Sequence, residues 1–167
     1  MSFAALGLAG SLLLAACGPH ATAALPTPQE PSEQSVAYFC QMNLTEHEGP
    51  KGQAFVRGRD KPYWFSSPGE AFTFLQTEVM SGELLALYVN DMGTGSWEHP
   101  APGAWVEIHK ASFVLGSSRT AAMGGVEPVS FAEKTAAEAF AKQYGGRVFD
   151  FDTAAKALAV DTAGGQS

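Results

Sequence analysis

Positive charge is scarce in this 167-residue chain: ten lysines and arginines stand against seventeen aspartates and glutamates, a formal charge of −7. No basic run is longer than the scattered "RGRDK", so nucleic-acid binding, which needs clustered cations to displace counterions, is disfavoured. Long apolar runs are lacking as well. The most apolar stretch, "ALGLAGSLLLAA" within residues 1–16, is too short to span a bilayer as a permanent helix. Cysteine is reduced to two residues, Cys17 and Cys40. Nothing reads as a Gly-rich phosphate loop, a zinc cluster or a serine triad; "GSSRT" and "GTGS" are ordinary loops. No enzyme activity is expected.

What is present begins with an export signal. Residues 1–16 carry neither acid nor base and read as the apolar core of a signal peptide, with no Lys or Arg ahead of it. The alternative, an N-terminal helix apolar all round, needs a larger core than this chain offers. The run ends in Leu14-Ala15-Ala16-Cys17, small residues before a cysteine, which is the bacterial lipoprotein cleavage pattern. It predicts a lipid anchor on Cys17 and a place on the periplasmic side of the cell envelope, at the outer membrane. Residues 18–35 hold Pro19, Pro26, Pro28 and Pro31 and almost no large apolar side chain, the composition of a disordered tether. At roughly 3.3 Å per residue it would reach about 60 Å. The tail "DTAGGQS", residues 161–167, also reads as unstructured.

With Cys17 lipidated, Cys40 has no intramolecular partner in a compartment that oxidises exposed thiols. A lone thiol there is either a buried small hydrophobe or has a use. In "YFCQMNL", Cys40 and Met42 fall on one side of an extended segment, or converge in a turn. Two soft sulfur ligands at that spacing point to Cu(I). Met123, in "TAAMGGVEP", precedes two glycines in a loop without apolar periodicity; its thioether is either displayed there for use or plugs a gap over a sheet. Met92 and Met80 invite the same question and are more readily assigned to packing.

The head divides into two similar halves. Residues 53–58 and 61–67 read as strands, followed by a helix that Ser67 caps and Pro68 opens, with Ala71, Phe72, Leu75 and Val79 on one stripe, and then a strand over 83–91. Residues 104–117 read as extended and 128–131 as a short strand. A second helix carries Ala136, Ala139, Phe140 and Tyr144 on one face and stops at Gly145-Gly146, and 147–152 closes as a strand. The expected fold is α+β, two ββαβ units over 36–104 and 105–160, with "FSSPGEAFTFL" faintly echoed by "FAEKTAAEAFAKQY".

Four segments in order, "YFCQM", "YWFSSPGEAF", "YVND" with its Gly-Thr stretch and Trp97, and "TAAMGG" ahead of "PVSFAEKTAAEAFAKQYGGRVFDF", resemble the NosL-type accessory lipoproteins of nitrous oxide reductase assembly, from about Tyr38 to Asp152. The resemblance implies a monomeric, lipid-anchored Cu(I) chaperone of two ββαβ halves. Its partners would be copper, nitrous oxide reductase and the membrane-associated maturation machinery. Cys40 and Met42 match the family's Cys-x-Met, and Met123 the methionine of its Met-Gly loop. The family more often shows glycine between the two sulfur residues, where this chain has Gln41. A histidine is a further ligand candidate: His47, His99 or His109, with His99 beside Trp97 and Pro100 preferred and His109 expected on a strand with Val106 and Ile108.

Two other readings fit the residues. A redox thiol would need a base or cation near Cys40, a place His47 or Arg119 would have to fill from elsewhere in the fold. A metal-free interaction module would bind through Tyr63, Trp64, Trp97 and Trp105 as exposed aromatics.

Overall fold

The computed structural model describes residues 24–77, 83–119 and 127–164, the last five as backbone only. Two small antiparallel sheets carry the chain. In the first, β1 (Gly52–Val56) lies between β2 (Tyr63–Phe65) and β3 (Leu84–Asn90), and β4 (Trp105–Glu107) extends the sheet beyond β3. In the second, β5 (Ser112–Leu115) lies between β6 (Val129–Phe131) and β7 (Arg147–Phe149). Helix α1 (Pro68–Leu75) joins β2 to β3, and α2 (Lys134–Tyr144) joins β6 to β7. Each half is therefore a ββαβ unit, as the sequence pattern predicts; in each the first strand is central, and β4, inside the 105–160 expected of the second unit, joins the first sheet.

Local chemistry sets the helix ends. The Ser67 hydroxyl accepts from the Glu70 N–H at 3.3 Å, while the Glu70 carboxylate reaches back to the Ser66 N–H at 2.8 Å. The first bond answers one of the N–H groups that a helix start leaves unpaired, and the second ties down the residue just ahead of the cap. Ala71, Phe72 and Phe74 are buried and α1 ends at Leu75, so Val79 lies outside the described residues. On α2 the buried stripe is Ala136, Ala137, Phe140 and Ala141, and the expected Ala139 is exposed. The face is rotated because the sheet beneath selects Ala137, which is completely buried.

Three sequence expectations change. The run over 104–117 is interrupted by a 3-10 turn at Ile108–Lys110, which buries Ile108 and takes His109 off any strand. The closing strand stops at Phe149, and α3 (Phe151–Gly164) follows where the strand's end and part of an unstructured tail were expected. Asp150 accepts from the Thr153 N–H at 2.9 Å at its start. Phe151, Ala154, Ala155 and Leu158, spaced i, i+3, i+4 and i+7, turn toward the main core; the helical period was present but short. Third, residues 26–35, which composition assigns to the tether, lie on the head. The Gln53 side-chain amide pairs with both the N–H and the C=O of Gln29 (2.8 and 2.9 Å), and the Tyr88 hydroxyl donates to the Pro26 carbonyl at 2.8 Å. Alternation along β1 makes this possible: Ala54 and Val56 face the core, while Gln53 and Phe55 face outward beneath this strap.

One core joins the halves. Phe72 of α1 meets Phe113 of β5 edge-on at 5.0 Å and stacks on Phe151 of α3 at 5.5 Å. Ala54, Phe65, Leu87 and Val89 from the first sheet share the cluster with Ile108, Phe113 and Ala154 from the second half.

Candidate metal centre

Cys40 and Met42 stand at the tip of a closed loop. An antiparallel bridge pairs Val36 with Asn43, the Ala37 N–H donates to the Met42 carbonyl at 2.9 Å, and the Gln41 N–H donates to the Ala37 carbonyl at 3.0 Å. The loop is fastened to the edge of β2: Ala37 bridges Trp64, and the Tyr38 N–H donates to the Trp64 carbonyl at 2.7 Å. Beyond the tip, the Asn43 side chain accepts from the Thr45 N–H at 2.9 Å, capping the 3-10 turn Leu44–Glu46, and donates to the Glu33 carbonyl at 2.6 Å.

The Cys40 thiol is free and half-buried on an apolar seat of Ala37, Leu44 and Trp64, against which Trp105 also packs. Met42 is half-buried as well. Tyr38 and Phe39, just ahead of the cysteine, remain 42% and 39% exposed. The arrangement offers sulfur on a loop with a dry side and an open side, suited to a soft cation that must be released again.

Gln41 has φ +58°, the only non-glycine residue with positive φ among the described residues. A glycine adopts this conformation freely, whereas Gln41 is held there by its side-chain amide, which donates to the carbonyls of Tyr38 (2.6 Å) and Ala37 (3.3 Å). Gln41→Val, β-branched and without the amide, is expected to cost about 1–2 kcal/mol, with Gln41→Gly nearly neutral. Urea unfolding midpoints of the two variants check this.

The other expected ligands are placed as follows. Cys17 and Met123 lie outside the described residues. Of the residues flanking the Met123 segment, Arg119 packs its guanidinium over Tyr144 at 4.6 Å and over Trp97 at 5.3 Å. On the other side, the Glu127 carboxylate accepts from the Ser67 hydroxyl and the Gly69 N–H at the start of α1; burial raises its pKa, offset in part by these bonds. A Cβ on Gly69 would meet that carboxylate, which would have to shift to make room. His99 is exposed and lines a cavity of about 190 Å³ together with His47, Glu30, Lys51 and Glu98. Leu44 belongs both to this cavity's wall and to the seat of Cys40, and Trp105, also in the wall, packs against that seat. His109 is engaged elsewhere, with Nδ1 2.6 Å from the Glu107 carboxylate and its ring 4.3 Å from Phe151. Among the described residues, no group of three or more His, Cys, Asp or Glu is arranged to hold a metal.

The geometry bears on two alternatives. Trp64 and Trp97 are buried, at 9% and 8% exposure, and Tyr63 and Trp105 are half-buried. These four aromatics therefore hold the fold together instead of forming the exposed binding surface expected of them. The seat around Cys40 is apolar, and Arg119, a candidate activator of a redox thiol, is engaged with Trp97 and Tyr144.

Lys51, missed in the sequence reading, is the buried cation of the region. Its ammonium donates to the carbonyls of Glu48 (2.8 Å) and Gly49 (2.7 Å), and burial, partly offset by the charge of Glu48, lowers its pKa from 10.5 to about 8. Below that value both folded and unfolded chains carry the proton and the burial penalty is fully present. Above it the folded chain has released a proton that the unfolded chain keeps up to its ordinary pKa. Stability contributed by this residue should thus rise with pH between about 8 and 10. Lys51→Met is expected to flatten that rise, measured as urea midpoints across the interval.

A family model described as NosL matches residues 28–159. The copper-binding lipoprotein NosL of Achromobacter cycloclastes is 37% identical over 138 residues, 81% of this chain and 71% of the relative. That of Stutzerimonas stutzeri is 38% identical over 128 residues, 75% of this chain and 65% of the relative. The crystal structure of the copper chaperone NosL from Shewanella denitrificans superposes with a TM-score of 0.71 at 35% identity, covering 76% of this chain and 95% of that one. With its two ββαβ units and Cys-x-Met loop on that same fold, the chain belongs to the NosL family.

Proposed function

We propose that this protein is a Cu(I) carrier on the periplasmic side of the cell envelope, lipid-anchored through Cys17, that delivers copper for assembly of the copper centres of nitrous oxide reductase. The observation that carries the reading is the free, half-buried Cys40 thiol on an apolar seat, two residues from Met42 in a closed loop. The names of the relatives, copper-binding lipoprotein and copper chaperone, support it.

Bound as thiolate, Cys40 supplies the charge that neutralises Cu(I), and the metal in turn keeps the sulfur deprotonated and protected from oxidation. Met42 adds a thioether, and Met123 of the second unit adds another. The third or fourth position belongs to His99, to solvent or to an imidazole of the recipient. The Trp64 indole and the Ala37 and Leu44 side chains under Cys40 keep hard oxygen ligands away, while the loop's outer side admits an incoming ligand. Release therefore proceeds by exchange rather than by free dissociation. The protein acts as a monomer and catalyses no reaction. Because Pro26 is already pinned to the sheet, only eight residues lie between it and the anchor at Cys17, nine chain steps with a reach of about 30 Å. The head works close to the membrane, within range of membrane-associated partners.

The test is an anaerobic competition titration of the lipid-free chain from Pro19 onward against a chromophoric Cu(I) chelator. One tightly held Cu(I) per chain is expected. Affinity no greater than that of the Cys40→Ser protein would overturn the proposal.

A further inference from the structure

We infer that Glu30, at the centre of the strap formed by residues 26–35, is a positioning residue of the sulfur site and acts through the Trp105 indole. The metal arm of the test rests on the copper reading above; the thiol arm does not.

One carboxylate oxygen of Glu30 accepts from two donors far away in sequence, the Gly103 N–H and the Trp105 Nε1–H, each at 2.8 Å. Trp105 begins β4 at the edge of the first sheet and is half-buried. Its indole lies 6.2 Å from that of Trp64 and packs against the cluster of Ala37, Leu44 and Trp64, the same cluster that Cys40 packs against. An indole N–H has a single donor direction, so its acceptor sets the rotation of the ring. Glu30 is that acceptor and thereby orients a ring that packs, through Trp64, on the cluster beneath the cysteine.

The rest of the strap keeps Glu30 in place and grips the loop itself. Ahead of it, Gln29 is paired with the fully buried Gln53. Behind it, the Glu33 carbonyl accepts from the Asn43 amide and the Ser35 carbonyl accepts from the Leu44 N–H at 2.8 Å. A segment with the composition of a linker thus holds both the seat beneath Cys40 and the residues that follow Met42. Neither proline content nor hydropathy marks it, because its hold depends on single polar contacts to a distant sheet.

The contact is a hydrogen bond to a carbonyl-type oxygen, so Gln can reproduce it and Ala cannot. In the copper-free chain, Glu30→Ala is expected to raise the rate at which Cys40 reacts with an aromatic disulfide reagent several-fold and to alter tryptophan emission. Loss of an outer partner typically weakens metal sites 10- to 100-fold, and for this exposed carboxylate a loss of roughly tenfold in Cu(I) affinity is expected. Glu30→Gln should stay near wild type in all three measurements. In a Trp105→Phe background, which keeps an aromatic ring but lacks the N–H, Glu30→Ala should add less than about twofold, because the two changes break one path. An unchanged thiol rate in Glu30→Ala, a Gln variant as impaired as the Ala variant, or a full Glu30→Ala effect in the Trp105→Phe protein would each overturn the assignment. If the wild-type chain binds no copper, the proposed function falls and the thiol rates still decide this inference.

Discussion

Replacing Cys40 by serine is expected to weaken Cu(I) binding by at least roughly a hundredfold, about 3 kcal/mol, the largest effect of any single change at the site. The reason is chemical more than geometric. A serine hydroxyl stays protonated and is a hard oxygen donor, whereas Cu(I) favours a soft anionic sulfur. Met42→Ala removes a neutral thioether and should weaken binding by a smaller margin. The fold itself should survive: the thiol is only half-buried, and placing a hydroxyl there costs on the order of 1 kcal/mol. Circular dichroism and a urea midpoint close to wild type, beside lost competition for copper, are the expected pair of results. Retained tight binding in Cys40→Ser would move the site away from this loop.

The second large effect concerns the core. Phe113 is fully buried on the central strand of the second sheet, and its ring meets Phe72 of the first unit's helix at 5.0 Å. Phe113→Ala is expected to cost about 3–5 kcal/mol, combining lost transfer energy with the cavity left behind. Because the same apolar cluster takes residues from both sheets, the loss should be shared by the whole head. A single cooperative transition, shifted as a unit and superimposable by tryptophan fluorescence and far-ultraviolet circular dichroism, is the expected result. A two-step melt in which one step stays unmoved would show that the halves fold separately. Phe72→Ala should be similarly costly, and the double mutant should fall short of additivity by about 0.5–1.5 kcal/mol, the worth of the aromatic pair.

Much of the chain's organisation is written in short-range pattern. Alternating apolar residues give the strands, and Ser67 with Pro68 and Gly145 with Gly146 mark where helices begin and end. The linear sequence therefore determines the two ββαβ units and the Cys-x-Met pair: these depend on neighbours within a few residues, whose spacing can be read directly. Where the reading failed, distant contacts had decided. Trp64 and Trp97 look like surface aromatics in their own segments and are buried by strands and helices remote in the chain. Residues 26–35 have a tether's composition and are captured because Gln53, Tyr88 and Trp105 present hydrogen-bonding groups on the sheet's outer face. Only the tertiary structure could decide that Cys40 rests on the Trp64 indole and that Glu30 reaches Trp105. Each of these follows from closing long loops, a cost met by many weak contacts at once and invisible to any local period.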